Sequence, residues 1–363
     1  MHVFSSRKSS LTDLRPARVC VIKPSALGDV VNAFPTVAAL RSLWPEAEIV
    51  WVINASLRGL LDGHSHIDRV ITYDRTKAGV TPSGISSFSR FLHGLRRERF
   101  DLTIDLQGLF RSGVMTAATA APIRVGLDDA REGAVWFYTH KATPPGTRES
   151  AHAVDRLLSV AAAFGADVSR PVFAVAAGDG DRAWARAQLQ SSPRPRLALN
   201  LGARWETKRW PPAHFAEVAR RAFEARGASL VAIGAPEDRP FVDELISRLA
   251  PVPVLDLCGR TSLPRLAAIA EQCDVVMSND TGPLHLAVAA GARVVGLYTC
   301  TSPLANGPYG PLAASVESQV WCKASYRVTC SRLECMSELT PDRVWPIVLS
   351  QMDASGGKVV PAA

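Results

Sequence analysis

The sequence predicts an α/β protein made of two doubly wound domains. Three observations carry this. Its 363 residues suggest two domains rather than one. Near the N-terminus, Arg18–Lys23 (RVCVIK), a polar turn, an apolar-periodic stretch from Val30 to Leu43, and Glu48–Ile53 (EIVWVI) follow one another as strand, turn, helix and strand. Cys273–Thr299 repeats that plan, and both units call for parallel neighbouring strands with a crossover helix between them.

Composition sets the broad class. With 47% hydrophobic and 21% charged residues the chain is an ordinary globular sequence. No run of about 18 uninterrupted apolar residues is present, so no membrane-spanning helix is expected. The first residues, MHVFSSRKSS, lack the apolar core of a secretory signal, and the seven cysteines are odd in number. A cytoplasmic protein with reduced thiols is the expectation. Cys322, Cys330 and Cys335 cluster without a CxxC pair or a fourth ligand, so no metal is expected. The net charge of +7 points to an anionic partner: a phosphorylated ligand, an anionic membrane surface or nucleic acid. Without a Lys/Arg block, an aromatic-interleaved basic patch or zinc-finger spacing, no nucleic-acid partner is expected. The excess lies mainly in residues 1–175, which carry 21 Lys and Arg against 16 Asp and Glu.

In chain order, residues 1–17 read as a disordered polar tail and 18–175 as the first domain. After the first strand, Pro24 to Asp29 make a turn in which Gly28 lets the backbone approach a ligand closely. Asp29 stands at a helix start, where a carboxylate serves either the helix dipole or chemistry. Val70–Tyr73 is a short strand, the Gly/Ser/Thr-rich stretch Lys77–Ser89 a loop, and Phe91–Arg99 a basic helix. Asp101–Leu106 and Ile123–Gly126 are strands, and Ala153–Phe164 is an amphipathic helix. Arg131, in the charged run Asp128–Glu132, is a candidate phosphate ligand or part of a solvated loop. Residues 176–196, with GDGD and SSPRPR around a helical segment, read as the linker.

The second domain, residues 197–340, opens on the strand Leu197–Leu201. Gly202–Pro211 follows, a turn in which a glycine precedes Arg204, Lys208 and Arg209, as suits a diphosphate. His214–Ala225 is a helix, and the strand Ser229–Ile233 ends at Gly234, with Glu237 placed either to meet ribose hydroxyls or to cap the next helix. Leu255–Leu257 is a strand and Leu263–Glu271 a helix. In the closing βαβ unit, Asp274–Met277 leads into the turn Ser278–Gly282 and a helix with Pro283 at its first position. Helix-start N–H groups there attract an anion, surrounded by Asp280, Thr281 and His285; Asp280, itself negative, suits a hydroxyl better than a phosphate. Asp280 or Thr281 would otherwise cap the helix, and His285 would be a core histidine. A helix at 341–352 and a disordered tail at 353–363 complete the chain.

Four stretches, KPSALGDVVNAFPTVAALR (Lys23–Arg41), IDLQGLFRSG (Ile104–Gly113), GARWETKRWP (Gly202–Pro211) and SNDTGPLHLAVAAG (Ser278–Gly291), together resemble the ADP-heptose:lipopolysaccharide heptosyltransferases of glycosyltransferase family 9. The likeness runs from about residue 18 to 350. VGLDDARE (Val125–Glu132) and HAVDR (His152–Arg156) bring it closer to heptosyltransferase I than to II. The resemblance implies a GT-B fold, two Rossmann-like domains facing across a cleft. It implies an inverting, metal-independent transfer of L-glycero-D-manno-heptose from ADP-heptose to the Kdo region of a phosphorylated lipid A, with no cofactor beyond the donor. By the resemblance Asp29 is the general base and Lys208 stabilises the leaving diphosphate. Thr281 and Gly282 offer backbone N–H groups, Asp280 holds sugar hydroxyls, His285 meets phosphate or sugar, and Glu237 meets ribose. Lys23, Ser25, Gly28 and Arg131 lie on the acceptor side. Ala203 and Arg204 stand where threonine or serine is frequent, so Arg204 either supplies a phosphate contact or signals another donor; Thr299–Thr301 replaces a frequent Gly-Pro-Thr. A lipid acceptor implies work at the cytoplasmic face of the inner membrane, with loop 77–89 and the helix after it against the anionic surface. A family member with another nucleotide sugar or acceptor, and a catalytically silent nucleotide-sugar binder, are the competing expectations. No oligomeric state is legible.

Overall fold

The computed structural model describes residues 10–74, 81–175 and 177–355, except for the side chain of Pro82. Two compact units divide the chain, Met1–Thr147 with Ala153–Ala174, and Arg148–His152 with Val175–Ala363.

The first unit contains β1 (Arg18–Ile22), α1 (Leu27–Val31), α2 (Phe34–Leu43), β2 (Glu48–Asn54), β3 (Arg69–Tyr73), α3 (Pro82–Arg97), β4 (Leu102–Asp105), α4 (Phe110–Ala118), β5 (Ile123–Leu127), β6 (His140–Ala142) and α5 (Ala153–Ala163). Its sheet has the order β3-β2-β1-β4-β5-β6, and every pair is parallel. Helices cover both faces of such a sheet, which is why β1 and β2 are nearly continuous apolar runs buried on each side.

Three expectations are corrected here. The helix expected from Val30 to Leu43 is two helices, because Pro35 sits in the first turn of α2 and has no N–H to continue a preceding helix. The loop expected over 77–89 gives way to α3 from Pro82. Thr81 caps it, its hydroxyl accepting the Gly84 N–H at 3.2 Å, while Phe88, Phe91 and Leu92 pack beside Tyr73 and Leu95; residues 77–80 lie outside the described residues. Of the tail expected over 1–17, Leu11–Asp13 forms a 3-10 turn, and the Trp44 indole N–H donates to the Leu14 carbonyl at 3.1 Å.

The second unit contains α6 (Asp179–Gln188), β7 (Arg196–Asn200), α7 (Pro212–Arg226), β8 (Ser229–Ile233), α8 (Arg239–Leu249), β9 (Val254–Asp256), α9 (Leu263–Gln272), β10 (Val275–Asn279), α10 (Gly282–Ala289), β11 (Arg293–Tyr298), α11 (Pro303–Asn306), β12 (Ala313–Glu317), α12 (Glu334–Glu338) and α13 (Pro341–Ser355). Its order is β12-β11-β10-β7-β8-β9, again all parallel. The edge strands β6 and β12, HKA and AASVE, lack an apolar run and were not expected. α6, within the expected linker, packs on α9 through Arg182 and Glu271, 2.9 Å apart. α13 runs on to Ser355, so Asp353, expected in a loose tail, pairs with Arg226 at 2.8 Å. The segment Arg148–His152, expected in the first domain, packs with the second unit, where a His152 ring nitrogen lies 2.9 Å from the Gly307 carbonyl.

Both sheets share one wiring plan: the first strand lies centrally, and the chain proceeds outward first on one side and then on the other. The order reverses between β1 and β4, and between β7 and β10. Open sheets of this kind bind ligands outside the carboxyl ends of their strands at that reversal. The amino ends are stitched instead. Arg18, Glu48 and Arg69 head β1, β2 and β3 and form ion pairs with one another and with Glu98, while Asp101 accepts the Ala17 and Arg18 N–H groups at 2.9 and 2.8 Å. In the second unit Asp274, just before β10, accepts the Arg196 N–H at 2.8 Å and pairs with Arg194.

Candidate active site

In the first unit the turns after β1 and β4 meet at the reversal. Asp105, the last residue of β4, is fully buried and accepts four donors. Oδ1 takes the Gln107 and Gly108 N–H groups at 2.8 and 3.0 Å; Oδ2 takes the Ser112 and Tyr138 hydroxyls at 2.8 and 2.7 Å. Burial raises its pKa despite these donors. The Tyr138 ring reaches it by passing over Gly126, where an added Cβ would lie 2.4 Å from ring carbons. So held, Gln107 presents Oε1 to the Ser25 N–H at 3.4 Å, which joins the β4 turn to the β1 turn.

Asp29 stands in the first turn of α1, exposed, with Oδ2 accepting the Ala26 N–H at 3.1 Å. The capping role and an accessible carboxylate therefore coexist. Gly28 precedes it in the same turn. Lys23 lies at the end of β1 and is only 6% exposed, and its carbonyl accepts the Trp51 indole N–H at 3.1 Å. Arg131 is exposed and tied through its backbone, its N–H donating to the Gly108 carbonyl at 2.8 Å. Ser25, Gly28 and Asp29 thus share one turn with Gln107 against it, and Arg131 stands on the next turn along the sheet edge.

In the second unit the turn after β7 folds against the turn after β10. Asn279 fastens them: its amide donates to the Leu201 carbonyl at 2.7 Å and its oxygen accepts the Trp210 N–H at 3.1 Å. Between those anchors Glu206–Lys208 is a 3-10 turn, with the buried Thr207 hydroxyl donating to the Arg327 carbonyl at 2.6 Å. Lys208 Nζ lies 2.6 Å from Asp280 Oδ2 and 4.5 Å from the Trp205 ring centroid. The same Asp280 oxygen accepts the Thr301 hydroxyl at 2.5 Å, and His285 Nε2 stands 3.9 Å from Oδ1. Burial alone would raise the Asp280 pKa; His285 and the Lys208 ammonium overcome it and draw the carboxyl down to about 2. His285 is itself buried beside this carboxylate.

Thr281 and Gly282 follow at the head of α10, where Thr281 makes no side-chain cap and Pro283 takes the second helical position rather than the first. Arg204 is exposed on the same turn as Lys208, and Glu237 is exposed after β8. The carboxylate that meets the glycine turn is Glu237's neighbour. Asp238 accepts the Ala235 N–H at 2.9 Å, and a Cβ on Gly202 would lie 2.1 to 2.4 Å from its carboxylate atoms. Sequence reasoning missed Asp105, Asp238 and Thr301; only the nearness of Gly234 to Asp238 and the departure at Thr299–Thr301 signalled the latter two. Cys322, Cys330 and Cys335 line a separate cavity of about 400 Å³, and no three His, Cys, Asp or Glu among the described residues form a metal-binding group.

The family model for glycosyltransferase family 9 (heptosyltransferase) matches residues 88–336, more than half of the chain. The chain belongs to glycosyltransferase family 9. It is therefore a glycosyltransferase. Among curated members, the lipopolysaccharide core heptosyltransferase OpsX of Haemophilus influenzae is 28% identical over 300 residues, 82% of this chain and 83% of that one. Lipopolysaccharide heptosyltransferase 1 of Pseudomonas aeruginosa is 28% identical over 86% of this chain and 87% of its own. A solved family 9 structure from Veillonella parvula aligns with a TM-score of 0.82 at 23% identity, covering 94% of this chain and 99% of that one. The Escherichia coli heptosyltransferase WaaC with ADP aligns at 0.72 and 24%, covering 92% and 99%. The fold is that of these enzymes, GT-B, with one Rossmann-like sheet in each unit.

Proposed function

We propose that the chain transfers L-glycero-D-manno-heptose from ADP-heptose to the Kdo region of lipid A, with inversion, during assembly of the lipopolysaccharide core. The names of the curated relatives support the pathway, and a WaaC structure with ADP-2-deoxy-2-fluoro heptose supports the donor class. The observation that carries the reading is the Lys208–Asp280 pair at the reversal between β7 and β10. A cation and a carboxylate held together between two strand-end turns, one opening on Gly202 and the other closing on Gly282, suit the two halves of a nucleotide sugar, diphosphate and hydroxyls.

In this mechanism the Asp29 carboxylate takes the proton of the acceptor hydroxyl. The hydroxyl oxygen bonds the anomeric carbon as the bond to the diphosphate breaks, so charge develops on the departing ADP. Donor binding draws Lys208 from Asp280 to that diphosphate, joined by the N–H groups of Thr281 and Gly282, with Arg204 and His285 close by. Asp280, released from its partner, accepts sugar hydroxyls, and Glu237 or Asp238 takes the ribose. Lys23, Ser25, Gly28 and Arg131 form the acceptor side. A lipid acceptor puts the enzyme at the cytoplasmic face of the inner membrane. No helix among the described residues is long and apolar enough to cross a membrane, so association would be peripheral.

Calorimetry with ADP-heptose, ADP-glucose, UDP-glucose and GDP-mannose tests the donor, and Asp29→Asn tests the base. We expect ADP-heptose to bind tightest, and Asp29→Asn to lose turnover by at least about a hundredfold with ADP affinity unchanged. Preference for another nucleotide would overturn the heptose assignment, and near-normal turnover in Asp29→Asn would remove Asp29 from the mechanism.

A further inference from the structure

Three large apolar side chains stand in solvent at one edge of the first sheet. Ile85 is 58% exposed, Phe110 51% and Trp136 81%. Each follows the carboxyl end of a parallel strand: Ile85 in the first turn of α3 after β3, Phe110 at the head of α4 after β4, and Trp136 in the turn after β5. That is the edge which also carries Asp29 after β1.

Packing links the three turns. The Phe110 ring meets Phe137 edge-on at 5.7 Å, beside Trp136. Arg111, next to Phe110, donates to the Tyr73 hydroxyl, and Tyr73 packs against Phe88 of α3 at 5.9 Å. Exposed cations accompany the apolar groups: Arg111, Arg131, and Arg90 in the middle of α3, a helix of 16 residues with no Asp or Glu. The carboxylates nearby are largely engaged. Asp129 pairs with Arg156, Asp128 accepts the Thr143 hydroxyl at 2.5 Å, Glu132 accepts the Phe110 N–H at 3.2 Å, and Asp74 has partners of its own.

We propose that Ile85, Phe110 and Trp136, with the surrounding arginines, dock this edge onto an anionic lipid bilayer. The proposal rests on the reading of a lipid-borne acceptor, and adds the surface that meets the membrane. Tryptophan and phenylalanine settle at the boundary of headgroups and acyl chains, where an apolar body and a wet neighbourhood are both accommodated. Exposed arginines beside the apolar groups complement anionic headgroups, and of the acids flanking Arg131 the charge of Asp129 is balanced by Arg156. Since Asp29 lies on the same strand-end edge, docking there brings the proposed base close to the plane in which the sugar of a lipid acceptor is held.

The test uses the full chain and a Phe110→Ser/Trp136→Ser double variant. Both side chains are solvent-exposed, so thermal unfolding should match the wild type. Sedimentation with vesicles of phosphatidylglycerol and phosphatidylcholine, against phosphatidylcholine alone, reads docking. Turnover is compared on acceptor carried in vesicles and on deacylated, water-soluble acceptor. We expect salt-sensitive binding to anionic vesicles that weakens at least about tenfold in the variant, the loss for keeping one large apolar group in water. Turnover on the vesicle-borne acceptor should fall in step, and turnover on the soluble acceptor should hold. Unchanged vesicle binding in the variant would overturn the proposal. Equal loss on both acceptors would also overturn it, since the residues would then serve the active site directly. So would a wild-type dimer, seen by light scattering, that the variant dissociates, because a second copy would be the occupant. If neither acceptor is turned over, the functional reading fails, and the vesicle arm alone decides the docking surface.

Discussion

Replacing Lys208 by alanine separates the two halves of the second unit's ion pair unequally. Asp280 has a side chain 6% exposed, and its Oδ2 is left with the Thr301 hydroxyl alone once the ammonium is gone. Breaking a buried pair from the side that strands a charge costs about 3 kcal/mol or more. The opposite change, Asp280→Ala, leaves Lys208 with a side chain 17% exposed over the Trp205 ring, able to turn to water. That should cost about 1 kcal/mol, the scale of a partly exposed pair. The double variant should then be less damaged than the two losses summed, with a coupling of about 2 kcal/mol. The pH dependence follows from the depressed Asp280 carboxyl. Its contribution is fully present above the ordinary aspartate range near 4 and is lost as pH falls through about 2. Lys208→Ala returns Asp280 toward a higher pKa, so the deficit of the variant should be widest above pH ~4 and narrow steadily toward pH ~2. Urea unfolding followed by tryptophan emission, across that range, reads it. A deficit that does not change with pH, or equal and additive costs for the two single variants, would refute the asymmetry.

Two further substitutions probe the glycines. Gly126→Ala places a methyl 2.4 Å from ring carbons of Tyr138 and should push that hydroxyl off Asp105, destabilising the first unit by about 3 kcal/mol; a loss below about 1 kcal/mol in urea unfolding would show that the ring yields without cost. Gly202→Ala forces the Asp238 carboxylate away from positions 2.1 to 2.4 Å from the new methyl, and should weaken ADP binding at least about tenfold by calorimetry. Undiminished affinity would place the Gly202–Asp238 apposition outside the donor site.

Much of this was legible in the sequence where apolar runs and glycine turns alternate. β1, β2, β10 and β11 are continuous apolar stretches, and the turns bearing Asp29, Lys208 and Asp280 stand out because small and polar residues interrupt them at strand ends. The first half of α3, ahead of the helix expected from Phe91, was hidden because glycine and serine near its start dominate the composition, whereas the deciding groups were one hydroxyl at Thr81 and aromatic packing on Tyr73 from a distant strand. Asp105 was hidden for a similar reason. A buried aspartate is legible only when its four donors are known, and one of them comes from Tyr138, 33 residues on. The Lys208–Asp280 pair spans 72 residues, so the sequence suggested both groups but not that each would hold the other.

The stitched amino ends of the two sheets have a consequence for divergence. Arg18, Glu48, Arg69 and Glu98 at one end of the first sheet, and Arg194 with Asp274 at the same end of the second, anchor the strands away from the turns that carry Asp29, Lys208 and Asp280. Cohesion and the proposed chemistry thereby fall at opposite poles of each sheet. A lineage can exchange residues such as Ala203, Arg204 or Cys300 at one pole, and so shift what is recognised, while the other pole keeps the strands in register. Inherited drift in specificity then proceeds with little penalty in fold, which is what allows one scaffold to diversify its substrates by revising loops alone.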